Sequence, residues 1–157
     1  MSPRAAWRLE TLGFDAYDYA DGKADWIAHG LPREGQNVGG LYAGEMIDRD
    51  PPTCPLSADL GAVRAALEGS QYGFCLVTGD ERILLGRVRK SELRDADSGV
   101  RAEDVMEPGP STVRPNTPAK QLAERLAKRE LRTAIVTTPE GRLLGVFHRA
   151  DAEQRLA

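Results

Sequence analysis

The chain has 157 residues, 41% hydrophobic and 29% charged, with a formal net charge of −3, which suits one ordinary soluble domain or two very small ones. That acidic balance argues against nucleic acid or acidic lipid as a partner, although 21 Lys and Arg leave room for a local basic patch. No run approaches the roughly 18 apolar residues of a membrane span, and MSPRAAWRLE lacks a signal peptide's apolar core, which predicts a cytoplasmic protein without membrane contact.

Residues 1–35 read as a short helix-strand-helix extension. Ala5, Trp7, Leu9 and Leu12 supply the first helix, Gly13 stops it, and Ala16 to Tyr19 is a β-prone run. Gln36-Asn37-Val38-Gly39-Gly40 follows as a linker. Residues 41–98 form a first unit, with a helix from about Leu60 to Glu68, strand Phe74–Thr78, turn Gly79-Asp80, strand Ile83–Val88 and a helix from Lys90. Residues 99–157 form a second unit, opening on a short β-prone stretch from Ser111 to Arg114. Thr117 is placed as a helix N-cap with Pro118 at the first helical position. Leu122 and Leu126 mark one face of that helix, which runs to about Glu130. Thr133–Thr137 reads as a buried strand, Pro139-Glu140-Gly141 as a turn, Leu143–Phe147 as a second strand and Arg149–Leu156 as a closing helix. Cys54 and Cys75 are too far apart in sequence for a CxxC pair and read as two reduced, packed thiols. With only two histidines present, a structural zinc site is not expected.

The two units are copies of one another. Thr53 and Thr112 stand 59 positions apart (53 to 112), and the same offset lays Leu67 on Leu126, Val77-Thr78 on Val136-Thr137 and Leu84-Leu85-Gly86 on Leu143-Leu144-Gly145. One unit of under 60 residues buries little of its surface, so the two are expected to pack their sheets together. The predicted class is α/β (α+β): two β-α-β-β-α units with pseudo-twofold symmetry, plus the N-terminal extension.

Residues 102–156 carry an Asp-Val-Met lead-in, the step Thr-Val-Arg-Pro-Asn-Thr-Pro, an Ala-Ile-Val strand, a Gly-Arg-Leu-Leu-Gly-Val hairpin and a final Asp on the helix. This stretch resembles a cystathionine-β-synthase (CBS) domain, and residues 41–98 resemble the same family more loosely. The resemblance implies a tandem CBS pair, or Bateman module, with two clefts between the copies. It also implies dimerisation and binding of AMP, ADP, ATP or S-adenosylmethionine in those clefts, with no catalysis and no required cofactor. Residues 1–35, with Gly-Lys-Ala-Asp-Trp and Gly-Leu-Pro, are similar to the C-terminal end of a rhodanese. The catalytic cysteine loop of that family would lie before Met1, so the similarity implies a remnant without its nucleophile.

Adenosine-binding CBS pairs commonly carry Gly, two apolar residues, Ser or Thr, two variable residues and Asp. The second copy matches from Gly145 to Asp151, with His148 in place of Ser or Thr. By resemblance Asp151 accepts hydrogen bonds from both ribose hydroxyls, the charge-assisted kind being the stronger, and His148 and Arg149 reach a phosphate or the base. Thr112, Val113, Arg132, Thr133 and Ala134 would then make the adenine slot. The first copy offers Glu92 and Arg89 at matching positions, with Thr53 and Phe74 in its slot. Simpler readings stand beside these: Asp151 as an ordinary helix-start acid, Val113 and Thr133 as core, and Arg89 and Glu92 as a solvated helix start. Three functions follow: a regulatory nucleotide-binding homodimer acting on a partner protein in trans, a dimerisation scaffold with empty clefts, and, remotely, a sulfurtransferase-related accessory.

Overall fold

The computed structural model describes residues 3–17, 19–32, 40–94, 97 and 99–156. Helix α1 (Pro3–Thr11) ends where Gly13 turns the chain at φ +85°, a conformation glycine adopts without penalty. The described residues between it and α2 (Gly22–Ala28) include no strand. The expected helix-strand-helix order is thereby corrected to two helices. A β-prone run becomes a strand only beside a neighbour that takes its backbone hydrogen bonds, and both sheets draw their strands from Ile47 onward. Residues 36–39 of the expected linker lie outside the described residues.

Helix α2 buries Ile27 and Ala28, and the Arg49 guanidinium donates to the Ala28 carbonyl at 2.7 Å. The Lys23 ammonium lies 5.8 Å from the Tyr42 ring centroid. Trp26 donates its indole N–H to the Pro32 carbonyl at 2.9 Å and meets the Tyr19 ring edge-on, whereas Trp7 stays exposed. Ile27→Ala is expected to cost about 2 kcal/mol, the low end for emptying an aliphatic core site, or roughly 5 °C of melting temperature at this chain length. An unchanged melt would show that α2 does not dock in solution.

The strands in chain order are β1 (Ile47–Asp48), β2 (Thr53–Cys54), β3 (Phe74–Thr78), β4 (Leu84–Arg89), β5 (Glu107–Pro108), β6 (Thr112–Val113), β7 (Thr133–Thr137) and β8 (Leu143–His148). The remaining helices are α3 (Leu60–Leu67), α4 (Ala102–Val105), α5 (Ala119–Lys128) and α6 (Arg149–Leu156). They build two four-stranded sheets, ordered β2-β3-β4-β5 and β1-β8-β7-β6. Each sheet borrows its edge from the other half: β1, which leads into the first copy, pairs with β8, and β5, which leads into the second, pairs with β4.

The registers repeat the sequence offset strand for strand. Thr53 pairs with Leu76 as Thr112 pairs with Ile135, and Phe74 with Arg89 as Thr133 with His148. Across the halves, Arg87 pairs with Glu107 as Val146 pairs with Asp48. The bridge between Ile83 and Arg142 joins equivalent residues, and so marks the pseudo-twofold axis. One core runs through both halves, with Leu60, Val63, Leu76 and Val88 packed with Ile135, Leu143 and Val146. A second cluster under α5 and α6 holds Leu122, Leu126, Val136, Phe147 and Ala152. Two reciprocal bonds cap the helices across this seam: Leu60 donates its N–H to the Val100 carbonyl at 3.0 Å, and Ala119 to the Leu41 carbonyl at 2.9 Å.

That seam corrects the expected start of α5. The helix begins at Ala119, and Pro118 holds the capping position in an extended conformation, bridged to Tyr42. The Leu41 carbonyl takes up the first amide, so no Thr117 side-chain cap forms. The helix expected from Lys90 is also corrected, since Lys90–Arg94 forms turns. Leu93 is buried there, but the sequence that follows it, Arg-Asp-Ala-Asp-Ser-Gly, supplies only one further apolar residue to hold a helix face. Both cysteines are free and buried, and a bond to Cys54 together with burial pushes the Cys75 thiol upward. No helix among the described residues is long and apolar enough to cross a membrane.

Candidate functional site

The end of β8 and the start of α6 bring the motif residues of the second copy together. Gly145, at φ +155°, sits where an added Cβ would lie 2.2 Å from the Asp48 carbonyl oxygen. The missing side chain is what lets β1 cross β8 at this point. Three residues on, His148 ends the strand, and Asp151 stands exposed in the first turn of α6.

His148 Nε2 lies 2.9 Å from the Tyr72 hydroxyl, which donates to Asp48 Oδ2 at 2.6 Å. A tyrosine has one hydroxyl proton. With that proton given to Asp48, the bond from His148 runs Nε2–H to the Tyr72 oxygen. The imidazole ring lies 5.1 Å from the Tyr72 ring, and the Phe74 ring meets Tyr72 edge-on at 5.5 Å. The Tyr72 hydroxyl and the Asp50 amide hold Asp48 below the usual carboxylate range. Burial, the bond to Asp48 and the charges of Asp48 and Asp151 push Tyr72 upward.

A carboxylate whose folded pKa lies below its unfolded value adds stability above that unfolded value and loses it as the pH falls through the folded one. Asp48 is such a group. Asp48→Asn is therefore expected to flatten part of the acid-denaturation limb below about pH 4, followed by circular dichroism. A limb that overlays the native one would show that the Tyr72–Asp48 bond contributes nothing in solution.

Thr112, Val113, Thr133 and Ala134 line one cavity of about 370 Å³ between β6, β7 and α5, within the size range of small-molecule sites. Arg114, Arg125 and Arg129 line it as well. Thr133 pairs with His148 across β7 and β8, so the cavity and the His148–Tyr72–Asp48 chain are neighbours along the sheet. Arg132 is exposed, and its carbonyl accepts the Arg149 amide at 2.9 Å, while Arg149 Nε meets Glu153 at 3.5 Å.

The first copy is arranged differently. Glu92 accepts from its own neighbour, the Arg89 amide, at 2.8 Å. The guanidiniums of Arg87 and Arg89 both bind Glu107 Oε2, at 2.7 and 2.9 Å, and hold that carboxyl below its usual range. Phe74 lies 5.8 Å from the Arg87 guanidinium. Thr53 instead lines a wider cavity of about 830 Å³ with Leu85 and Arg101, which neither Phe74, Arg89 nor Glu92 reaches. Of the second copy's predicted residues, Thr112, Val113, Thr133 and Ala134 thus share one cavity, which Asp151, His148, Arg132 and Arg149 do not line, and of the first copy's only Thr53 lines the cavity just described.

Sequence reasoning missed Asp48, Tyr72, Glu107 and Arg125. The 59-residue offset carries Asp48 onto Glu107 and His148 onto Arg89. An acid in each lead strand facing a base at the end of each hairpin was the available signal. Among the described residues no group of three or more His, Cys, Asp or Glu is placed to hold a metal ion.

Residues 102–156 match the family model for the CBS domain. No curated protein matches the chain. Among solved structures, the cytosolic domain of the Mg2+ channel MgtE in complex with ATP is 22% identical at a TM-score of 0.64, over 73% of this chain and 48% of that one. CBSX2 in complex with AMP, a protein of Arabidopsis thaliana, is 21% identical at 0.64, over 74% of this chain and 96% of that one. An acetoin utilization protein (AcuB) from Vibrio cholerae is 19% identical at 0.65, over 74% and 90%. The chain spans about half the length of the MgtE domain and of the soluble part of a magnesium transporter. None of these matches supports a rhodanese relationship for residues 1–35. Residues 102–156 are thus similar to a CBS domain, and about three quarters of the chain shares the fold of CBS-domain structures.

Proposed function

We propose that the chain is a regulatory CBS-pair protein that binds one adenosyl ligand (AMP, ADP, ATP or S-adenosylmethionine) beside Asp151 and passes its occupancy to a partner protein in trans. The observation that carries this reading is the cavity at β6 and β7, where Thr112, Val113, Thr133 and Ala134 meet beside the strand end that leads to His148 and Asp151. A cavity edged by threonine hydroxyls suits a purine, and the exposed Asp151 carboxylate suits a pair of ribose hydroxyls. The complexes of MgtE with ATP and of CBSX2 with AMP, on the same fold, favour it. The reading is of a cytoplasmic homodimeric binding module, not an enzyme. The ligand acts by binding one arrangement of the two halves better than another, since equal affinity for both would shift nothing.

Calorimetric titration with AMP, ATP and S-adenosylmethionine tests the site. Saturable binding of at least one, lost in Asp151→Ala, is the expected result, and no heat with any of them would refute it. The scaffold reading fits the first cleft, where the guanidiniums of Arg87 and Arg89 both engage Glu107 and Glu92 accepts the Arg89 amide. One site per chain is therefore the expected stoichiometry. For residues 1–35, sulfur transfer is the remote alternative, and a thiosulfate–cyanide assay is expected to show no turnover.

A further inference from the structure

The three arginines that line the cavity under α5 belong to the second copy alone. The 59-residue offset sets Arg114 against Pro55, Arg125 against Ala66 and Arg129 against Ser70. The two halves share their strand registers, so the fold itself requires no cation at any of these positions. Thr112 has its match in Thr53, but Thr117 and Thr133 stand where the first copy has Ala58 and Phe74. What separates the halves here is hydrogen-bond donors and positive charge.

Arg114 is tethered: its guanidinium donates to the Thr137 hydroxyl at 3.2 Å and to the Thr138 carbonyl, and its charge also reaches Glu140. Arg125 and Arg129 are not. Both are exposed, and neither has a hydrogen bond or ion pair to any described residue. They stand four residues apart at the end of α5, and so on the same face. Among the described residues lining the cavity there is no Asp or Glu, whereas Ser111, Thr112, Thr117 and Thr133 all line it. Glu124 and Glu130, the acids adjacent to the two arginines in sequence, do not. One arginine near a helix C-terminus is accounted for by the helix dipole. Two unpaired ones on the wall of one cavity, beside hydroxyl donors and without a carboxylate, suit an anion. The planar guanidinium fork matches a phosphate in particular.

This argument does not depend on how a ligand is turned. A cavity of about 370 Å³ spans roughly one screening length of physiological salt, about 8 Å. A charged group on any ligand seated in it therefore feels both arginines. A phosphate gains there, and a neutral group gains nothing.

We infer that the ligand of this cavity is a phosphate-bearing anion held by Arg125 and Arg129, so that a nucleotide is preferred there to the neutral nucleoside and to S-adenosylmethionine, whose net charge is positive. The inference rests on the reading of this cavity as the ligand site, given above.

AMP and adenosine differ by one phosphate, so titration of the full chain with each at one salt concentration reads its contribution. AMP is expected to bind at least about tenfold more tightly than adenosine, and the preference is expected to shrink as salt is raised. Arg125→Ala combined with Arg129→Ser, which copies Ala66 and Ser70 of the first half, is expected to cut that preference to about twofold or less. Both side chains are exposed, so the melt is expected to stay as it is. Should the double variant fold poorly, Arg125→Ala alone is expected to lower the preference at least about threefold. Adenosine binding as tightly as AMP in the native chain, or a preference unchanged in the variant that folds, overturns the inference. If Asp151→Ala still weakens both ligands in that case, the adenosyl site survives the failure. If the arginine variant removes the preference and Asp151→Ala changes no affinity, the anion site stands and the ribose assignment fails. No binding of either ligand to the native chain overturns both.

Discussion

Gly145→Ala is expected to lower the melting temperature by roughly 10 °C. The added Cβ would stand 2.2 Å from the Asp48 carbonyl oxygen, 3.0 Å from its carbon and 3.2 Å from Arg49 Cα. All three are backbone atoms, so no rotamer change relieves the overlap. Relief requires β1 to move off β8, which breaks the pairing of Asp48 with Val146 and the reciprocal exchange of edge strands. Overpacking of this kind costs about 3 kcal/mol, and a chain of this length loses roughly 2–4 °C per kcal/mol. Gly86, its counterpart in the first copy, gives a sharper comparison. A Cβ there meets the Met106 sulfur at 2.4 Å and its Cγ at 2.9 Å, the far end of a flexible side chain, with the Glu107 carbonyl at 3.1 Å. Gly86→Ala is thus expected to cost about 1 kcal/mol, near the low end for overpacking. Gly40→Ala, with nothing within 4 Å, serves as the control and is expected to stay within about 0.5 kcal/mol of the native chain. Equal melts for Gly145→Ala and Gly40→Ala would show that β1 does not cross β8 in solution.

Asp151→Ala is expected to weaken ligand binding by roughly 30- to 100-fold while leaving the fold intact. Two hydrogen bonds to adjacent ribose hydroxyls from one ionised carboxylate are worth about 2–3 kcal/mol together, and each 1.4 kcal/mol is tenfold. Asp151 is exposed at the first turn of α6, so its loss removes a helix-dipole contribution of a few tenths of a kcal/mol and little else. That separation of binding from stability distinguishes a ligand contact from a structural one. Asp151→Asn, which keeps one acceptor oxygen without the charge, is expected to fall between. Glu92→Ala, at the matching position of the first copy, is expected to leave binding unchanged because its carboxylate already serves the Arg89 amide. Equilibrium titration beside a thermal melt reads both effects, and a loss of stability without a loss of affinity would remove Asp151 from the site.

The parts of the fold that were legible in the sequence are those whose signal is local. Phe74–Thr78 and Thr133–Thr137 are β-branched or apolar runs of strand length, and the structure forms them with those bounds. The duplicated Leu-Leu-Gly steps implied two like halves, and the paired registers carry the same offset. The exchange of β1 and β5 was not legible, because a two-residue strand has no periodicity and its partner lies on the other side of the molecule. The same crossing took over the cap of α5, which a local reading assigned to Thr117. In the candidate site, Asp151 and His148 stood out within one motif. Tyr72 and Asp48 did not, since each belongs to the other copy and meets His148 only after the halves pair. The first copy's turn at Lys90–Arg94 escaped because the matched α6 suggested a helix that its own apolar content does not sustain.

The crystal structure of the chain grown with adenosine tests the site most directly. The expected map places both ribose hydroxyls within about 3 Å of the Asp151 carboxylate, with the base against Thr112, Val113, Thr133 and Ala134. Density for the nucleoside anywhere else, or a cleft empty at saturating ligand, would contradict the assignment of this crevice as the binding site.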